Sequence, residues 1–253
     1  MILNEFKLEG KVGVVTGAGR GLGRVLSLAL AEAGADLALA ARTESELTSV
    51  ADEVEAMGRR ALIIPTDVTQ AEQVNSLMEK TVTSLGGLDI LINNAGVGLE
   101  KPVLETEDEE WDRVMDTNLK GPFLCCRAAG KCFVEQRRGK VVNVASGLGE
   151  KGYPNNIAFC AGKGGLIQFT RALAQEWAYH NVHVNCVAPG WMENPGAAPD
   201  GVSINDILLK FIPAKRRGSA EDVAGAVIYL SSESSDYITG ETIFVDGGLM
   251  AHA

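Results

Sequence analysis

Thr16-Gly17-Ala18-Gly19-Arg20-Gly21-Leu22-Gly23 is the stretch that decides the fold. It follows a β-branched apolar run over 11–16 and opens an amphipathic stretch over 21–33 that Gly34 closes. Glycines at 17, 19, 21 and 23 let a tight turn bring backbone N–H groups against a pyrophosphate, at the positive end of a helix dipole. Glycine also serves ordinary turns, so the reading rests on the strand before the loop and the helix after it. Gly17, Gly19, Arg20, Gly21, Leu22 and Gly23 are accordingly candidate cofactor-binding residues.

The same alternation continues outward along the chain. Short β-branched runs predict strands over 11–16, 36–41, 61–64, 88–93, 139–145, 183–187 and 242–245. Helical patterns over 21–33, 44–57 and 71–85 end at Gly34, Gly58 and Gly86-Gly87. This βαβ order predicts an α/β fold: a doubly wound, seven-stranded parallel sheet in one domain over 1–253. Thr106 followed by Glu109 reads as a capping box, which makes the acidic run 107–110 a helix start rather than a metal site. Segment 190–215 is long and rich in Gly and Pro around Ile204, Ile207, Leu208 and Phe211, and is expected to form a lid over a ligand site.

Composition excludes several classes. A net charge of -10 and a pI near 4.9 repel phosphate backbones, and Lys215-Arg216-Arg217 is too short to reverse this, so nucleic acid is not expected as a partner. The five cysteines lack CxxC or Cys/His spacing, which points to packing thiols in a reducing compartment and to no metal site. No apolar stretch approaches the roughly 20 residues of a membrane span, and the start has no basic-then-apolar pattern. A soluble cytoplasmic protein is the expectation.

Cofactor choice is read where the second strand ends. A carboxylate there would bond the ribose 2′-OH of NAD and repel a 2′-phosphate, but the residues are Ala40, Ala41 and Arg42. Asp36 precedes the apolar run and should lie at the wrong end of the strand. Arg42 and Arg20 can grip a phosphate bidentately, so NADP(H) is favoured and NAD(H) is the alternative.

With Asn93-Asn94-Ala95-Gly96, Asn118, Ser146, the segment Phe159-Cys160-Ala161-Gly162-Lys163, Pro189-Gly190 and Asp246-Gly247-Gly248 added, the chain resembles the short-chain dehydrogenase/reductase family in its compact single-domain branch. The resemblance implies a Rossmann fold, a homotetramer, and hydride transfer between nicotinamide and a small-molecule ketone or secondary alcohol such as a 3-oxoacyl or sugar-acid substrate. It assigns Ser146 to the substrate oxygen, Lys163 to the nicotinamide ribose and the proton donor, and Asn118 to a relay water. It assigns Asp67 and Val68 to adenine and Asn94, Ala95 and Gly96 to the adenosine side. Pro189, Gly190, Met192 and Asn194 are assigned to the cofactor as well.

Three positions depart from the family pattern. Phe159 stands where the family has its catalytic tyrosine, so the proton donor is missing. Gly162 replaces a serine outside the proton path, and Asn194 replaces a threonine that commonly bonds the nicotinamide carboxamide. Tyr153 lies in the loop before the helix and is a candidate pocket wall more than a substitute acid, while His180 and His183 read as helix-end and strand residues. Leu148, Tyr153, Trp191, Met192 and the lid's apolar residues outline a mostly apolar pocket. Two readings follow: an oxidoreductase nearly inactivated by loss of its tyrosine, or a natural non-catalytic NADP(H)-binding protein with a sensing or assembly role.

Overall fold

The computed structural model describes residues 2–193 and 209–251. Its sheet contains β1 (Val12–Thr16), β2 (Asp36–Ala41), β3 (Ala61–Pro65), β4 (Ile90–Asn93), β5 (Gly139–Val144), β6 (Val182–Pro189) and β7 (Thr242–Val245). All seven expected strands form, and all pair in parallel in the order β3-β2-β1-β4-β5-β6-β7. The order reverses between β1 and β4, whose neighbours lie on opposite sides. A doubly wound sheet opens its ligand crevice at that point, beyond the carboxyl ends of the strands.

The helices are α1 (Gly21–Glu32), α2 (Glu44–Ala56), α3 (Ala71–Leu85), α4 (Asp108–Met115), α5 (Gly121–Gln136), α6 (Ile157–Trp177) and α7 (Ala220–Ser231), of which the first three follow the glycine punctuation. Successive strand residues face opposite sides, so paired apolar residues feed two cores. Val14, Leu91 and Val141 pack with Leu85, Phe133 and Trp177 of α3, α5 and α6. Val15, Ile92 and Val142 pack with Leu26, Leu47 and Val227 of α1, α2 and α7. Burial on both faces explains why β1 and β4 read as largely apolar runs rather than alternating ones, while β5 also carries the buried Lys140 and Asn143.

Local differences from expectation have identifiable causes. The expected strand 88–93 begins at Ile90, because the Asp89 carboxylate accepts the Val12 N–H at 2.9 Å in place of a ladder carbonyl. The strand expected over 183–187 runs on to Pro189, where β7 continues to pair with it through Pro189 and Val245. The capping box is displaced by one residue from Thr106 and Glu109. Glu107 is the N-cap of α4 and its N–H donates to Glu110, whereas the Thr106 hydroxyl turns back to the Pro102 carbonyl. An acidic helix start is retained either way. Of the expected lid, 194–208 lie outside the described residues, including Asn194, Ile204, Ile207 and Leu208, and Phe211 beyond them is 55 % exposed.

Phe133 is among the largest fully buried side chains, and its ring occupies the space that a Cβ at Gly139 would need. Removing it leaves a cavity between α5 and β5 that their backbones cannot close. Phe133→Ala should therefore cost about 3–5 kcal/mol in urea unfolding, and a loss below 1 kcal/mol (order of magnitude) would contradict this packing.

Candidate active site

Where β1 and β4 separate, the glycine loop and the start of α1 form one wall of a cleft of about 410 Å³. Gly17 has φ +65, and a Cβ on it would lie 2.9 Å from Asn94 Nδ2. A Cβ on Gly23 would overlap the Gly17 carbonyl, so α1 can approach the loop only with glycine there. Asn94 Nδ2 donates to the carbonyls of Thr16 (3.0 Å) and Gly17 (3.2 Å). The Thr16 hydroxyl accepts the N–H groups of Asn94 and Ala95, each at 3.1 Å. The first turn of α1 contains no carboxylate and its N-cap side chain makes no capping hydrogen bond. This cradle of free amides fits a pyrophosphate on the chemistry of its donors.

The far end of the cleft is lined by Ala41, Arg42, Thr43, Thr66, Asp67 and Val68. The Asp67 carboxylate accepts from Thr69 N–H (2.9 Å) and the Thr69 hydroxyl (2.8 Å), which fixes the turn after β3. Asp36 lies at the opposite end of β2, as expected, bound to the Arg60 backbone (2.8 Å) and guanidinium (2.7 Å). Among the described residues Arg20 and Arg42 form no ion pair. Glu46 also lines the cleft, packed against Gly19 from the first turns of α2. No pattern in the sequence marks it, because its approach depends on how α2 returns over the loop.

A second cavity of about 260 Å³ lies across the strand ends, lined by Ser146, Leu148, Phe159, Trp191 and Met250 among others. Segment 94–98 joins the two: Gly96 and Val97 face the nucleotide cleft and Gly98 faces the second cavity. Behind Gly96, a Cβ would meet Asn118 Oδ1 at 3.2 Å and Lys163 Nζ at 3.5 Å. The structure therefore brings Asn118, Ser146, Phe159 and Lys163 together at the junction. Asn118 projects from a π-type turn (Asp116–Lys120) and is fully buried, with its amide bonded both ways to the Val97 backbone at 2.8 Å. Gly162 leaves room for that turn, since a Cβ would lie 3.2 Å from Asn118 Cβ.

Lys163, one turn beyond Phe159 on α6, is 5 % exposed, and its ammonium donates to the Val144 carbonyl at 2.6 Å. The ammonium also lies 5.8 Å from the centre of the Phe159 ring. Burial disfavours the charged form and lowers the Lys163 pKa from 10.5 to about 8, with the neighbouring Cys186 thiol opposing slightly. Ser146 closes the carboxyl end of β5, where its Oγ accepts the Leu148 N–H at 3.2 Å.

A family profile described as Enoyl-(Acyl carrier protein) reductase (adh_short_C2) matches residues 17–250. The chain belongs to the short-chain dehydrogenase/reductase family. It is 40% identical to the 2-dehydro-3-deoxy-D-gluconate 5-dehydrogenase of Escherichia coli (strain K12), over 99% of this chain and 100% of that one. It is 36% identical to the 3-oxoacyl-[acyl-carrier-protein] reductase FabG of Staphylococcus epidermidis, over 94% of this chain and 98% of that one. The crystal structure of a gluconate 5-dehydrogenase from Burkholderia cenocepacia J2315, in complex with NADP and tartrate, superposes with a TM-score of 0.95 at 33% identity, covering 100% of both chains.

Within this short-chain dehydrogenase/reductase, every cofactor candidate from Gly17 to Gly96 lines the nucleotide cleft, while Pro189 and Gly190 line the second cavity. Met192 lines neither. Its backbone bridges to Gly218, and its side chain packs against the core cluster that includes α7. Tyr153 is also absent from the lining, but its ring meets the Trp191 ring edge-on at 5.2 Å and so braces the cavity wall. Lys151, Asn156, Leu249 and Met250 are lining residues that the motifs did not reveal. No helix among the described residues is long and apolar enough to cross a membrane.

The buried lysine makes a direct prediction. Its folded-state pKa lies below the unfolded value, so burial costs stability fully below pH 8, and the cost is relieved as pH rises from about 8 towards 10.5. In NMR titration of labelled lysines the Lys163 Cε resonance should move near pH 8; movement only near 10.5 would refute its burial as described.

Proposed function

We propose that this chain binds NADP(H) in the first cleft and a ketone or secondary alcohol in the second, as an oxidoreductase scaffold whose proton transfer is disabled at Phe159. The observation that carries this reading is the junction at Gly96, where Asn118 and Lys163 back onto the cleft and Lys163 faces the Phe159 ring. The relatives' names supply two substrate classes, sugar acids and 3-oxoacyl groups. Arg20 and Arg42, which form no ion pair among the described residues, with no carboxylate at the end of β2, favour a 2′-phosphate.

When bound, the nicotinamide cofactor supplies or accepts the hydride. The chain's own residues bind, orient and handle the proton. The α1 amides and glycine loop would hold the pyrophosphate, and Arg42 and Arg20 would hold the 2′-phosphate. Ser146 Oγ accepts the Leu148 N–H and keeps its own hydrogen to donate to the substrate oxygen. Lys163 would hold a ribose hydroxyl of the bound cofactor, and its positive charge would stabilise an ionised phenol at position 159. A phenylalanine ring has no proton to give, so the oxygen of the substrate is left without an acid.

One observation favours a non-catalytic binder instead: the Lys163 ammonium is already held by the Val144 carbonyl and the Phe159 ring, an arrangement that needs no tyrosine. Phe159→Tyr separates the readings. General acid catalysis contributes about 10²–10⁴-fold, so NADPH oxidation with a panel of ketones and sugar-acid carbonyls should rise by that factor. A restored protein that binds NADPH and reduces none of them would support the binder. Cofactor choice has its own test: Arg42→Ala should weaken NADPH binding about tenfold or more and leave NADH nearly unchanged, because a charge-assisted phosphate contact is lost. Equal weakening of both cofactors would contradict the 2′-phosphate assignment.

A further inference from the structure

From the second cavity we infer that Lys151 selects substrates bearing a carboxylate, by taking that group on its ammonium at the cavity wall. This rests on the reading that the second cavity receives the carbonyl substrate. Lys151 is the only ionic side chain among the described residues lining that cavity. It forms no ion pair among them, and the adjacent Glu150 carboxylate is engaged by Arg171 at 3.1 Å. Lys151 is exposed, and as the single cation among the described lining residues it can offer its charge to an anion entering the recess. The need for such a charge is real, since a chain of net charge -10 repels anionic substrates at long range.

The ammonium is held in place. Its Nζ donates to the Leu249 carbonyl at 2.9 Å, which uses one of three N–H groups and leaves two for a ligand. The turn presenting that carbonyl is itself fixed: Gly247 and Gly248 have φ +64 and +89, and the Asp246 carboxylate accepts the N–H groups of Gly248 (2.8 Å) and Met250 (2.7 Å). Both Asp246 oxygens are thereby occupied within the turn. Asn156, also in the wall, donates its Nδ2 to the Pro154 carbonyl at 3.0 Å, so its Oδ1 is the end available to accept from a substrate hydroxyl. Ser146 and Phe159 mark the reacting end of the cavity, while Leu148, Trp191 and Met250 offer apolar surface for the carbon chain. The class these groups fit is a hydroxy or oxo carboxylic acid.

The test uses the full chain loaded with NADP⁺ and two probes that differ in charge, D-gluconate and D-gluconamide, titrated by calorimetry. Gluconate should bind at least about tenfold more tightly, as expected of a hydrogen bond to a charged group. Lys151→Gln should reduce gluconate to the level of the amide, Lys151→Arg should preserve the preference, and added salt should weaken gluconate alone. Melting temperature and NADPH fluorescence should be unchanged in Lys151→Gln. Equal binding of the two probes, binding of neither, or a preference that survives Lys151→Gln overturns the inference. So does a loss of fold or cofactor binding in that variant, which would make Lys151 a strut for the terminal turn. Failure of the unmodified chain to take up NADP⁺ instead sinks the cofactor reading, and the probe comparison can still be made without cofactor.

Discussion

The separation of β1 from β4 is the constraint on which the site depends, and the Asn94 side chain secures it. Two parallel strands that diverge at their carboxyl ends leave carbonyls with no ladder partner. Asn94 Nδ2 satisfies two of them, at Thr16 and Gly17, while Thr16 Oγ1 collects the amides of Asn94 and Ala95. Buried backbone groups without partners are costly, so this exchange holds the crevice at one width. The glycines then follow from distance: α1 sits where a side chain at Gly23 would strike the loop. Segment 94–98, leaving the same point, carries Gly96 and Gly98 to the two cavities.

Burial of Lys163 is the second consequence. A lysine in a dry wall is expensive unless its charge has work or a partner, and here the partner is the Val144 carbonyl with the Phe159 ring nearby. Its lowered pKa arises from desolvation and not from the missing phenol. The proposed defect is therefore narrow. On the proposed reading, the ring of Phe159 would keep the shape of the wall, and the loss would be confined to the exchangeable proton of a phenol at that position.

Much of this was legible in the sequence because the signals were local. Strand, glycine loop and helix follow one another within 11–33, and the six downstream motifs each sit at a strand end, on a single helix or, for Asn118, in the π-type turn before α5. Even so, local patterns misplaced the capping box by one residue, since Thr106 and Glu107 both suit an N-cap and only the hydrogen bond to Glu110 chooses. Residues brought in by long-range packing escaped altogether. Glu46 reaches Gly19 through the return of α2, and Lys151 meets Leu249 nearly a hundred positions later. Met192 likewise shows the reach of long-range pairing: it follows cavity-lining residues in sequence, and its backbone bridges to Gly218.

The central claim is that binding and chemistry are separable in this chain. Calorimetric titration of the unmodified protein with NADPH, run beside a continuous assay of NADPH absorbance with excess carbonyl substrate, tests it most directly. The account predicts saturable one-to-one binding with oxidation at least about 10²-fold slower than in Phe159→Tyr. Rapid oxidation would contradict it by requiring a proton donor other than position 159, and an absence of binding would contradict the cofactor site itself.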